Sequence, residues 1–139
     1  MRTATLPDIF ASYNDCFEVA TTGGLQPSVL SKLGWTRATV EKDGKQVPSE
    51  PAIFSHSARA PLIILSGEAG EGLCIVTAKL ESDATFEQFK NAFGGKLPAP
   101  DAKGDIGFKA EGRPIILKRT GSKAQPAMSI LVMTPPEKK

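Results

Sequence analysis

Apolar residues recur along this chain with two different periods. Near the start, Ile9, Tyr13, Cys16, Phe17 and Ala20 are spaced i, i+4, i+7, i+8 and i+11, which is one face of an α-helix. The spacing predicts a helix over 7–20, with Pro7 in its first turn and Asp8 near the positive end of the helix dipole. Gly23-Gly24 ends that segment. A shorter helix is expected over 27–33, burying Leu25, Val29, Leu30 and Leu33, with Gly34 in the left-handed turn beyond it.

After Gly34 the pattern shortens to strands. These are expected over 35–41, 52–57, 62–66 and 73–80. Asp43-Gly44, residues 58–61 and the glycine-rich segment 67–72 supply turns, and Pro48 and Pro51 bracket a loop. On the fourth strand Cys74, Val76, Ala78 and Leu80 share one face. The side-chain oxygens of 82–85 suit the start of a third helix, with Phe86, Phe89 and Phe93 on its buried side and Gly94-Gly95 as its stop. Strands over 106–111, 114–119 and 127–134 complete the chain, and 135–139 is expected to fray. The fold class is therefore α+β: an antiparallel sheet of about six to seven strands, two N-terminal helices, and one Phe-rich helix inserted between two strand groups. One domain over 1–139, with its core in 6–134, accounts for the length.

Two stretches echo each other. Phe54…Arg59-Ala60-Pro61-Leu62-Ile63-Ile64-Leu65 resembles Phe108…Arg113-Pro114-Ile115-Ile116-Leu117, as two similar three-strand units would; shared strand composition explains it equally well. Three strands also carry unbroken apolar runs, Leu62–Leu65, Ile115–Leu117 and Ile130–Met133. A strand with one wet face alternates, so these runs predict cover on both faces. Three helices blanket only one side of such a sheet. The expectation is a strongly curled sheet or a homodimer through a sheet face or edge.

Composition narrows the class. With 40% hydrophobic and 23% charged residues, the chain is globular rather than disordered. Its net charge of +2 is uneven: residues 1–102 carry 9 basic and 12 acidic side chains, residues 103–139 carry 8 and 3. No apolar run approaches the roughly 20 residues that span a bilayer. No export signal is visible at the start, which points to the cytoplasm, or to the periplasm if the natural N-terminus was trimmed.

Candidate chemistry is sparse. Cys16 and Cys74 both face the interior on this reading. A bridge across their 58-residue separation would stabilise by about 4 kcal/mol in an oxidising compartment; the alternative is a pair of reduced core thiols. One histidine and two distant cysteines do not make a zinc set, so no metal and no cofactor is expected. Segment 67–72 lacks the Gly-Lys-Ser/Thr ending of a phosphate loop and carries Glu68 and Glu71. No serine-hydrolase signature occurs, and no catalytic residue is assigned. The remaining candidate ligand-binding set is His56, Arg59, Arg113, Lys118 and Arg119, flanked by Lys109 and Lys123. With only Phe108 among these basic strands to stack on a base, nucleic acid ranks below a protein or small ligand.

The helix carrying Asp15-Cys16-Phe17, then Leu33-Gly34-Trp35, then Gly72-Leu73-Cys74-Ile75-Val76 resembles small uncharacterised bacterial proteins, several of them exported. The resemblance implies a periplasmic location and a Cys16–Cys74 bridge, and no activity. The leading expectation is a non-catalytic binding or protein-interaction domain. The alternatives are a small enzyme with a spatially assembled acid/base site, and a weak anion or nucleic-acid binder using the C-terminal basic strands.

Overall fold

A computed structural model describes residues 2–49, 52–67 and 72–135. Chain order is β1 (Thr3–Ala4), α1 (Leu6–Val19), β2 (Ala20–Thr21), β3 (Gly24–Leu25), α2 (Pro27–Lys32), β4 (Trp35–Arg37), β5 (Thr39–Lys42) and β6 (Lys45–Pro48). It continues with β7 (Ala52–His56), β8 (Arg59–Ser66), β9 (Leu73–Leu80), α3 (Asp83–Asn91), β10 (Ile106–Ala110), β11 (Arg113–Arg119) and β12 (Ala127–Met133). Residues 68–71 of the turn expected over 67–72, and residues 136–139 of the tail expected to fray over 135–139, lie outside the described residues.

Helix α1 begins where Thr5 Oγ1 accepts from the amide of Asp8, with Pro7 in the first turn. Ile9, Tyr13, Cys16 and Val19 form its buried stripe. Helix α2 is shorter than its apolar pattern suggested. It buries Leu30 but leaves Leu33, its capping residue, 36% exposed. Gly34 then takes φ 95°, a left-handed conformation that favours glycine.

The main sheet runs β10-β11-β12-β9-β8-β7-β4, all antiparallel, with β1 added parallel to the end of β9. It consists of two three-strand meanders, β7-β8-β9 and β10-β11-β12, joined where β12 pairs with β9. The echo in sequence coincides with matching registers. Phe54 pairs with Ile63 as Phe108 pairs with Ile115, and Ile63 pairs with Val76 as Ile115 pairs with Val132. Ile75 and Leu131, partners at the junction, occupy equivalent positions, so an approximate two-fold axis passes between them.

Helices α1 and α3 pack on one face of this sheet, α1 against β8, β9 and β12, and α3 against β9. Beneath them lies a row of fully or almost fully buried side chains: Ile63, Val76, Ile130, Leu117 and Ile106, successive partners across five strands. Aromatic rings close one end of this core. Phe10 stacks on Phe89 at 4.6 Å, and Tyr13, Phe17, Phe93 and Phe108 meet edge to face.

Two expectations need correction. The strand expected over 35–41 breaks at Ala38, whose amide donates to Ile53 O while its carbonyl accepts from Ser49 N. Residues 39–48 therefore leave the main sheet as a separate exposed hairpin, β5-β6, in which Val40 pairs with Val47. Residues 45–47, to which the apolar pattern gave no element, thus form a strand that ends at Pro48. The apolar runs are likewise not sheltered on both sides: β8, β9, β11 and β12 alternate buried and half-buried residues. On these strands the fully buried residues all belong to the side packed by α1 and α3.

Candidate functional site

The five candidate ligand-binding side chains do not gather at one place. Arg59 ends on α1, where its Nη1 donates to the Asp15 carboxylate, which is 8% exposed and also accepts from Trp35 Nε1 at 2.8 Å. Arg113 reaches the C-terminal end of the same helix, about one turn further on. Its Nε donates to Ala20 O at 2.7 Å, its Nη2 donates to Phe17 O at 3.0 Å, and the guanidinium lies over the Phe17 ring. Helix α1 has no basic residue in its last turn, so Arg113 supplies from β11 the positive charge its C-terminus favours. Arg119 binds α3 instead, forking to Asp83 Oδ1 at 2.8 Å and Oδ2 at 3.2 Å, reaching Glu87 at 2.5 Å and covering the Phe86 ring.

These bonds hold Arg119 more firmly protonated, through Asp83 first, and lower the Glu87 carboxyl through its bond with Arg119. The three arginines thus fasten helices to the sheet. Lys118, on the opposite face, pairs with Asp105 at 3.2 Å.

His56 is held on both nitrogens. Nδ1 accepts from the amide of Ala58 at 3.0 Å, and Nε2 lies 3.0 Å from Leu33 O. The tautomer with hydrogen on Nε2 satisfies both bonds. The ring also meets Trp35 edge-on, and a Cβ at Gly34 would stand 2.8 Å from Nε2. Leu33-Gly34-Trp35 is therefore the seat of His56. A shallow groove lined by Arg2, Ser55, His56, Arg59, Ala60 and Leu62 opens beside it. Within it neither His56 nitrogen is left for a proton transfer, and Arg59 is already paired.

Cys16 and Cys74 lie at disulfide distance, Cα to Cα 5.6 Å, joining α1 to β9 in the core. Both are completely buried. Among the described residues, no group of three or more His, Cys, Asp or Glu side chains is placed to hold a metal ion, and no helix is long and apolar enough to cross a membrane.

The feature that stands out is the uncovered face. Ile53 pairs with Ile64, Ile64 with Ile75, Ile75 with Leu131, Leu131 with Ile116, and Ile116 with Gly107. Because partners across a ladder share a face, these form one straight row over six strands, five of its members aliphatic and half-buried. Leu73, Met133 and Pro114 border the row on one side. On the other side lie Leu62, then Thr77 and Ser129, whose hydroxyls are 3.4 Å apart, and then Lys118. Single-chain pattern reading located the aliphatic residues but not the row, which exists only once register is known. Asp15 and Trp35 also went unrecognised as partners, since 20 residues separate them.

Compared with models of protein families, with curated proteins and with solved structures, the chain matches none.

Proposed function

We propose that the domain is a non-catalytic protein-interaction module whose docking surface is the uncovered face of its sheet. The observation that carries this reading is the row Ile53, Ile64, Ile75, Leu131, Ile116 on a face without a helix. Contiguous apolar surface rimmed by polar residues marks interaction sites. Leaving it in water is costly, since burying one such side chain is worth roughly 1.5–3 kcal/mol. The two alternatives draw less support. An acid/base site lacks a free base at His56, and an anion site on the basic strands lacks free arginines, because Arg59, Arg113 and Arg119 are bonded within the chain. The buried cysteine pair and the resemblance to small exported bacterial proteins support an oxidising compartment outside the cytoplasm.

Leu131→Glu tests the reading at the centre of the row. The partly exposed position lets the carboxylate reach water, so the variant is expected to keep the circular dichroism spectrum of the parent. It should lose whichever association the parent shows through this face, self-association or binding of a hydrophobic fluorescent dye. A parent that binds no dye and forms no complex, or a folded variant that binds as the parent does, rejects the face as a docking surface.

A further inference from the structure

We infer that the occupant of this face is a second copy of the same chain, the two sheets packing face to face about a two-fold axis that runs along the β9–β12 pair. The inference rests on the docking surface proposed above and specifies its partner.

Size is the first argument. Four strands of seven to eight residues and two of five, about 4.8 Å apart, give a face of roughly 630 Å². A stable interface needs roughly 800 Å² from each partner, so one face is about one interface. Shape is the second. Two sheets of the same right-handed twist pack with strands inclined by about 30° and interleave their side chains over the whole contact. A second copy brings that twist with it. The chemistry of the face agrees, because its centre is aliphatic and homodimer interfaces are the more apolar class.

Charge chooses the orientation. Lys109 on β10 and Lys118 on β11, the latter paired with Asp105, stand on one side of the face and Lys79 at the end of the central β9, whereas β7 and β8 present Ile53, Ser55, Ala60, Leu62, Ile64 and Ser66. A two-fold axis across the strands would lay the lysine side of one copy on the lysine side of the other. An axis along the strands lays it on the uncharged β7–β8 side and leaves Lys109 and Lys118 at the rim. The latter arrangement sets Ile75 of one copy against Leu131 of the other, and Ile64 against Ile116.

The experiment is a charge swap read by sedimentation velocity. Wild type is expected as a dimer at tens of micromolar. Ile64→Lys alone and Ile116→Glu alone should each sediment as a folded monomer, with at least a tenfold weaker self-association. An equimolar mixture should recover a dimer, because Lys at 64 then faces Glu at 116 across one half of the interface. Dimeric single variants, or a mixture that stays monomeric beside a dimeric wild type, overturn this geometry. A wild type that stays monomeric at several hundred micromolar overturns the second copy. The docking face itself then survives if the wild type still binds the dye and Leu131→Glu loses it, and falls if it does not. Because the wild-type sedimentation is decisive alone, a variant that fails to fold leaves the inference open to refutation.

Discussion

Ile63 and Ile64 are neighbours on β8, yet Ile63 is fully buried on the side packed by α1 while Ile64 is only partly buried on the other. The contrast repeats across the sheet: Val76 against Ile75, Ile130 against Leu131, Leu117 against Ile116. Both faces are equally aliphatic in this zone. Only one is finished by helices, by the Cys16–Cys74 pair and by three arginine clamps. The covered face is therefore where folding free energy is gathered, and the open face holds apolar surface that the isolated chain does not finish burying. That surplus is what points to association.

The sharpest way to break this contrast is through its strongest fastening. Replacing both Cys16 and Cys74 by Ala releases a closed loop of 58 residues, and the unfolded chain gains the corresponding freedom. The expected loss is about 4 kcal/mol in urea unfolding relative to the oxidised protein, and reductant should bring the parent most of the way to the variant. A parent whose urea midpoint ignores reductant has no bridge, and the covered face then owes its stability to packing alone.

A paired substitution measures the contrast directly. Ile63→Ala opens a cavity under α1 and is expected to cost about 3–4 kcal/mol. Ile64→Ala removes a side chain already partly in water and is expected to cost about 1 kcal/mol in the monomer, by the area rule. Equal losses measured at a concentration where the protein is monomeric would mean that the second face is covered after all.

Much of this fold was legible in the sequence, and what was missed shares a cause. Helix α1 and the Phe-rich α3 declare themselves because one face of each is apolar and the other is not. Leu62–Leu65 declares a strand but conceals which side is covered, because both faces carry the same residue type and the pattern has no contrast to read. Lys45–Pro48 was missed because a hairpin exposed on both sides has almost no apolar period at all. The arginines announced themselves as charge. That Arg59 and Arg113 are spent on α1, and Arg119 on α3, depends on contacts 32 to 96 residues apart, which no local spacing encodes. His56 was singled out for being the only histidine, although its two backbone bonds make it part of the α2–β4 corner.

The remaining difference between the faces is a titrating group. Tyr13 lies in the covered layer, 5% exposed among Phe17, Phe89 and Phe93. Burial first, and then the charge of Glu111, push its phenol from 10.0 up to about 12. The folded state therefore holds this proton more tightly than the unfolded chain. Its contribution to stability is fully present below pH 10 and is lost as the pH climbs through the folded value. A shift of this size corresponds to about 2–3 kcal/mol. Urea unfolding between pH 9.5 and 12 should show that loss in the parent, and Tyr13→Phe should remove this part of the alkaline slope while leaving the neutral-pH fold intact. Because the open face carries no tyrosine, Ile116→Glu should leave the same slope unchanged. A Tyr13→Phe variant with an undiminished alkaline loss would place the titrating group elsewhere and dissolve this last distinction between the two sides of the sheet.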